Sequence, residues 1–322
     1  MLRGMNEFDL IAELFAPLAA GYPGALGLKD DVAFLDQRPG LDIVTTVDAM
    51  VAGVHFLAKD PAGQIAAKLI RVNLSDLAAK GAAPFAVLLA AAFPRGVSEA
   101  WLRAFAQGLA ADLKAFNIAL IGGDTVATDG PLTLSVTAFG HVERGRALLR
   151  SGARAGDTLW VSGTIGDGTL GLRVALGELT DLDSGQRAML LDRYRLPRPR
   201  IDLGARLVGL ADAGMDISDG LVQDLGHLCR ASGVGATIEA ERVPLSEAAR
   251  AVLRSGQTTL ASLLTGGDDS ELLFTAPPEA EGAIRALGGV SPIGRVEVGA
   301  GVRVRAGGGA VIPIVSGGWS HF

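Results

Sequence analysis

Apolar positions recur along this chain in two rhythms. At three- and four-residue spacing, Leu10, Ile11, Leu14 and Phe15 form one face of a first amphipathic helix, with Asn6 as its expected cap. Short, continuous apolar runs follow and predict strands over Val32–Leu35, Leu41–Thr46, Ala86–Phe93, Ile118–Ile121 and Leu132–Val142. Between them, Pro61 to Lys80 reads as a helix, and Ser98-Glu99-Ala100-Trp101 caps another that runs to Phe116.

The rhythm breaks at Arg144-Gly145-Arg146 and Arg150-Ser151-Gly152-Ala153, which places a boundary between domains 1–146 and 147–322. Beyond it come a strand over Asp157–Ser162, a glycine-rich helix opening at Gly163–Gly171, and a polar helix. A helix from Arg200 to Asp212 leads to Met215–Leu221 and the helix Val222–Ala231, for which Ser218 is a natural N-cap. Strands over Val234–Ala240 and Leu272–Phe274 precede a tail of short strands and glycine. Strands and helices alternate in both halves, so the expected fold class is α/β (α+β) in two domains.

Composition narrows the function. With 322 residues, 49% of them hydrophobic and 20% charged, each domain can bury its own core, and disorder is excluded. The net charge is −6 and no Lys/Arg run appears, which argues against a nucleic-acid partner. The longest apolar run, Ala86 to Phe93, is too short to span a bilayer, and no secretory leader pattern opens the chain, so a cytoplasmic protein is expected. The one cysteine, Cys229, has no partner for a disulfide or a zinc site, and its helical pattern suits a buried apolar role.

The chemistry lies in a repeated grammar of apolar run, then carboxylate, beside Gly, Ser or Thr. Ala119-Leu120-Ile121-Gly122-Gly123-Asp124-Thr125 reads as a buried strand ending in a bend, with Asp124 where α/β proteins place ligands. The strand Leu41–Thr46 ends in Thr46-Val47-Asp48, with His55 a few residues on. Asp30 and Asp31 are adjacent and repel unless a cation lies between them. Asp76 sits on a helix rich in Ala and Leu, and Asp216 and Asp219 flank a helix start. Gly266-Gly267-Asp268-Asp269 repeats the theme. A capping turn explains any one of these, and a lone histidine such as His55 is more often a core or turn residue.

Asp30, Asp48, Asp76, Asp124, Asp216 and Asp219 cannot all be caps, and if they converge their repulsion requires multivalent cations. An oxygen-only donor set points to hard cations, Mg²⁺ above all, completed by substrate phosphates. The inference is metal-assisted phosphoryl transfer from ATP. Gly166, Gly168 and Gly171 match a dinucleotide fingerprint, but no acidic second strand follows. Neither a P-loop nor the protein-kinase signature set occurs.

Seven motifs then stand in the order seen in thiamine-monophosphate kinases. They are Asp30-Asp31, Thr46-Val47-Asp48 through Gly53-Val54-His55-Phe56, and Asn73-Leu74-Ser75-Asp76-Leu77-Ala78. Gly122-Gly123-Asp124-Thr125, Arg150-Ser151-Gly152, Asp216-Ile217-Ser218-Asp219-Gly220-Leu221 and Gly266-Gly267-Asp268-Asp269 follow, and Trp319-Ser320-His321-Phe322 matches the ending. Nearly the whole chain resembles that family, within the superfamily of aminoimidazole ribonucleotide synthetase and selenophosphate synthetase. The resemblance implies two α/β domains, a homodimer joined through the N-terminal sheets, and transfer of the ATP γ-phosphoryl group to thiamine monophosphate.

The resemblance also implies roles for single residues. Asp30, Thr46, Val47, Asp48, Asp76, Asp124 and Asp216 would hold several Mg²⁺ ions, with Asp219 on a further one. Gly123, Asp124, Arg150 and Ser218 would contact ATP, while His55, Asp268 and Trp319 would line the thiamine monophosphate site. The chain departs from the family pattern in three places: Lys29 stands for Gly, Val47 for Thr, and Gly266-Gly267-Asp268-Asp269-Ser270-Glu271 for Gly-Gly-Glu-Asp-Tyr-Glu. At Val47 only the backbone carbonyl is left as a metal contact. Two other readings compete: another ATP-dependent enzyme of the superfamily, and a non-catalytic nucleotide- and metal-binding module. A selenophosphate synthetase would carry a reactive cysteine near its N-terminus, and none is present; intact carboxylates in every motif argue against the module.

Overall fold

The computed structural model describes residues 7–314 and 317–319. They form two compact units, one running to Leu77 and resuming over Ala82–Gly145, the other made of Ala78–Gly81 and the chain from Arg146 onward.

The first unit begins with α1 (Glu7–Leu10), which passes at once into a π turn over Ile11–Phe15 and 3-10 turns over Ala16–Ala19 and Pro23–Leu28. Leu10 and Phe15 are buried as the periodicity required. Pro17, with no N–H to donate, keeps the α geometry from continuing. The Asn6 cap and the Ser320-His321-Phe322 ending lie outside the described residues. Val32–Leu35, expected as a strand, is extended chain without a sheet partner. Phe34 N donates to Gly24 O at 2.9 Å, and Val32 and Phe34 are 57% and 66% exposed. An apolar run alone does not make a strand when no neighbour offers a ladder.

Four strands form its sheet in the order β1 (Leu41–Val51), β4 (Thr133–Glu143), β2 (Ala83–Pro94), β3 (Ala119–Thr128). Only β2 and β3 run parallel. β1 continues past the predicted end at Thr46, so Asp48 lies within a strand and not at its tip. Thr45, Val47 and Ala49 are exposed along it, whereas Thr46, Asp48 and Met50 point the other way. Two helices complete the unit: α2 (Ala62–Ala79, whose last two residues cluster with the second unit) and α3 (Glu99–Ala115). The predicted cap holds, since Ser98 Oγ accepts from Trp101 N at 3.2 Å. Arg71 on α2 clasps Asp112 on α3 through two hydrogen bonds of 2.6 and 2.9 Å.

β3 corrects a second expectation. The chain does not bend at Gly122-Gly123 but continues as strand to Thr128. Its register against β2 jumps instead: Val87 opposes Leu120 and Leu88 opposes Gly122, leaving Ile121 as the extra residue of a bulge. At Gly123 a Cβ would fall on the carbonyl oxygen of Leu89. Close backbone approach, not a turn, is what requires glycine here.

The second unit holds a six-stranded sheet in the order β10 (Gly301–Arg305), β7 (Gly235–Glu239), β9 (Val290–Glu297), β5 (Thr158–Ser162), β8 (Glu271–Ala276), β6 (Ala213–Ile217). Its helices are α4 (Asp167–Ala175), α5 (Ser184–Arg195), α6 (Ile201–Leu207), α7 (Leu221–Ser232), α8 (Glu247–Arg254), α9 (Leu260–Thr265) and α10 (Glu281–Leu287). Strands β5, β6 and β8 are buried along their whole length, and in β5 and β8 this shows in the sequence as central apolar runs. The helix expected to reach Asp212 stops at Leu207, where Gly209 takes a φ of 83° and Asp212 N already bonds Thr275 O. Cys229 packs into the core beneath α7, and burial pushes its thiol up to about 11.

Candidate functional site

Each unit gathers part of the expected constellation. In the first, β1 is an edge strand and α2 runs beside it. Asn73 Oδ1 accepts from Asp48 N at 3.1 Å, and Thr46 Oγ1 donates to Asp76 Oδ2 at 2.5 Å. Thr46 and Asp48 share one side of the strand because they are two residues apart. Burial, and then the neighbouring charge of Asp76, raise the Asp48 carboxyl to about 6. Two carboxylates thus face each other on rigid elements with Thr46 between strand and helix. Val47, on the other side of the strand, is 62% exposed.

Asp30 and Asp124 lie elsewhere in the same unit, both in the lining of a cleft of about 360 Å³. Its apolar wall includes Leu28, Leu88, Leu120 and Phe139, and Gly122 and Gly123 contribute bare backbone. On the sheet register Asp124 lies in the row of Ala90 and Ser135, next to the row of Asp48, Val136 and Leu89. Adjacent rows project to opposite faces, so the two carboxylate groups leave the pleat on different sides. His55 sits in the turn after β1, with Nδ1 accepting from Val51 N at 3.0 Å and its carbonyl accepting from Lys68 Nζ at 2.9 Å.

In the second unit, three separate segments pack together. Asp216 is the next-to-last residue of β6 and is buried; Ser218 and Asp219 form the loop into α7. The 266–270 loop is fastened to it, with Asp268 N donating to Ser218 O and Ser270 N to Ile217 O, both at 2.9 Å. Gly267 is required there, because a Cβ would strike Ser218 O. Asp268 itself takes a φ of 68° and Ser270 one of 52°, left-handed conformations that cost non-glycine residues energy. The tail closes the group, Trp319 N donating to Asp219 O at 3.0 Å, with the indole 55% exposed. Ser218, Asp219, Asp268 and Trp319 are therefore brought together.

Ser218 is not the helix cap. Asp224, one turn inside α7, reaches back and accepts at Oδ2 from the N–H groups of Ser218, Asp219 and Gly220, at 3.0, 3.1 and 3.1 Å. A longer carboxylate arm satisfies three donors where a serine hydroxyl would satisfy one. Burial and the Asp219 charge push Asp224 up to about 7. Asp219, Asp224 and His227 each offer a donor atom within 4.8 Å of the others, and burial with the Arg230 charge lowers His227. Arg150 is exposed, and Ser232 Oγ donates to its carbonyl.

Sequence reading missed the support beneath these loops. Asp269 accepts from Gly166 N at 2.8 Å and Gly168 N at 3.1 Å, and burial lifts its carboxyl to about 8 although those two bonds favour the charged form. Arg193 Nη2 reaches both Asp269 O at 3.0 Å and Glu271 Oε1 at 2.7 Å, and Arg200 Nε and Ser162 Oγ also bond Glu271. The signal was present as polar residues flanking an unbroken apolar strand, but their partners come from 71 to 109 residues away.

Residues 29–142 match the family model AIR synthase related protein, N-terminal domain, and residues 154–307 match its C-terminal domain. The chain is 46% identical over 324 residues to the thiamine-monophosphate kinase of Caulobacter vibrioides, covering 98% of this chain and 91% of that one. The crystal structure of thiamine-monophosphate kinase from Stenotrophomonas maltophilia K279a superposes with a TM-score of 0.83 at 41% identity, covering 93% and 96% of the two chains. A structure of AaThiL complexed with AMPPCP and TMP superposes with a TM-score of 0.81 at 32% identity, over 100% and 99%.

Proposed function

The chain belongs to the thiamine-monophosphate kinase family, and from that premise we propose that it phosphorylates thiamine monophosphate with ATP, giving thiamine diphosphate and ADP. The bond between the γ-phosphorus and the β–γ bridging oxygen breaks, and one forms from a phosphate oxygen of the acceptor. That oxygen is already anionic at neutral pH, so no general base is required. The difficulty is bringing two anions together, and positioning with charge neutralisation is how such enzymes work.

The observation that carries the reading is 46% identity along almost the full chain, with the carboxylate motifs standing in order in this sequence. The donor set fits Mg²⁺. Asp48, raised to about 6 beside Asp76, is a carboxylate pair that a hard dication would relieve. In the first unit the ligands are Asp30, Thr46, the Val47 carbonyl, Asp48, Asp76 and Asp124; in the second, Asp216 and Asp219. Bound Mg²⁺ neutralises phosphate charge and orients the transferring group. Gly123, Asp124, Arg150 and Ser218 contact the nucleotide. The apolar wall and carboxylates of the 360 Å³ cleft suit a heteroaromatic base and a metal-bound polyphosphate. His55, Asp268 and Trp319 contact the thiamine phosphate. The chain acts as a homodimer through the open face of the four-stranded sheet, where Val47 and Val126 are 62% and 52% exposed.

The test is purified protein with ATP, Mg²⁺ and thiamine monophosphate, following ADP and thiamine diphosphate together. Matched formation of both, lost with EDTA, is the expected result. ADP without thiamine diphosphate would assign another acceptor, and the 268–270 loop is where that difference would lie. Saturable ATP binding with no turnover on any phosphate acceptor would support a non-catalytic module.

A further inference from the structure

Gln223 lies on the first turn of α7, partly exposed, and its side-chain amide has two protons to donate. One goes to Asp219 Oδ2 at 3.2 Å and the other to Trp319 O at 2.5 Å. The tail lies directly on this side chain: a Cβ at Gly318 would come 2.8 Å from Gln223 Cβ and 2.5 Å from Asp219 O. Trp319 N meanwhile donates to Asp219 O. The tail is thus held at both backbone groups of one residue, by a loop carbonyl and by a helix amide, while its indole is left exposed.

We propose that Gln223 is a positioning residue that latches the tail onto the 218–220 loop and so sets Trp319 for the acceptor substrate. The proposal rests on Trp319 being a substrate contact. The longer bond to Asp219 Oδ2 anchors the amide, so that its shorter bond holds the Trp319 carbonyl in place. A latch on a partly exposed residue can be removed without opening the core, because the packing beneath α7 is made by Leu221, Leu225 and Leu228. The stem of Gln223 covers Gly317 and Gly318, so Gln223→Met keeps that cover and deletes only the donors.

The experiment compares wild type, Gln223→Met, Trp319→Ala and the double variant of the full chain. Two readings are taken: steady-state kinetics with thiamine monophosphate and Mg-ATP, and hydrogen exchange of the segment around residues 317–319. Losing one or two hydrogen bonds predicts a KM for thiamine monophosphate raised about three- to tenfold, with the ATP KM and kcat within about twofold. Exchange at 317–319 rises, and the double variant matches Trp319→Ala alone because the latch acts only through that residue. Unchanged exchange in Gln223→Met overturns the latch. Faster exchange with an additive double variant overturns its coupling to substrate. Faster exchange with both single variants at wild-type KM overturns the substrate role of Trp319, a failure distinguishable from that of the latch.

Discussion

Thr46 Oγ1 donates to Asp76 Oδ2 at 2.5 Å, joining an edge strand to a helix beside the half-buried Asp48. The bond turns one Asp76 oxygen toward the strand and leaves Asp48 held near 6 by burial and by the Asp76 charge. Repulsion of this kind is a cost to the metal-free fold that a bound cation would remove.

The sign follows from linkage. Burial, and then the Asp76 charge, hold the Asp48 carboxyl at about 6 in the fold, above the ordinary 3.8 of an aspartate, so the fold binds the proton more tightly. Stability of the metal-free protein therefore falls as pH rises from about 3.8 to 6, and the full cost, on the order of 2–3 kcal/mol, persists above that. Asp48→Asn is expected to raise the melting temperature in EDTA at pH 8 by several degrees and to leave it nearly unchanged at pH 4. An equal shift at both values would mean that ionisation of Asp48 is not the cause.

Asp76→Asn keeps the size of the side chain and removes its charge. Turnover should drop roughly a thousandfold if the carboxylate holds phosphate-bound metal, equivalent to about 4 kcal/mol of lost transition-state stabilisation. Circular dichroism and the melting curve should stay near wild type. Full activity with a normal Mg²⁺ dependence would remove Asp76 from the metal assignment.

Gly123→Ala tests the bulge. Its Cβ would overlap the Leu89 carbonyl, and backbone on a paired strand cannot step aside cheaply. A destabilisation of at least about 2–3 kcal/mol is expected in denaturant unfolding, and Gly122→Ala should cost less because its Cβ meets only a Leu88 methyl at 2.9 Å. Equal effects at the two positions would deny the close approach.

Removing Glu271 should be worse than neutralising it. Glu271→Ala leaves Arg193, 5% exposed, without its ionic partner, and a loss of about 3–5 kcal/mol is expected. Glu271→Gln retains acceptors for the same guanidinium groups and should cost clearly less in the same unfolding measurement. A reversed order would show that acceptors for the guanidinium groups are not what the network requires.

Val47→Asp places a charge on the open sheet face, away from Thr46 and Asp48. If that face joins two copies, sedimentation should show a monomer where the unaltered chain is a dimer, with the monomer fold intact. A dimer that persists with Val47→Asp and with Val126→Asp would locate the interface elsewhere.

Much was legible before any coordinate. The alternation of strands and helices set the α/β class, Ser98 was recognisable as a cap, and the buried strands β5 and β8 announced themselves by their apolar runs. The carboxylate motifs in order were enough to identify the family. These are local properties: periodicity, capping and chain order do not depend on what lies across the molecule. Where a distant partner decides, the local signal failed. Val32–Leu35 has strand composition but no neighbour to pair with, and Gly122-Gly123 serves a bulge because β2 runs alongside. Ser218 lost the capping role to Asp224, whose arm returns from the next turn. Tertiary structure alone paired Thr46 with Asp76, fastened Asp268 to Ser218, and laid Trp319 against Asp219. A hydrogen bond needs both partners within about 3 Å, and only the folded chain sets that distance between residues dozens of positions apart.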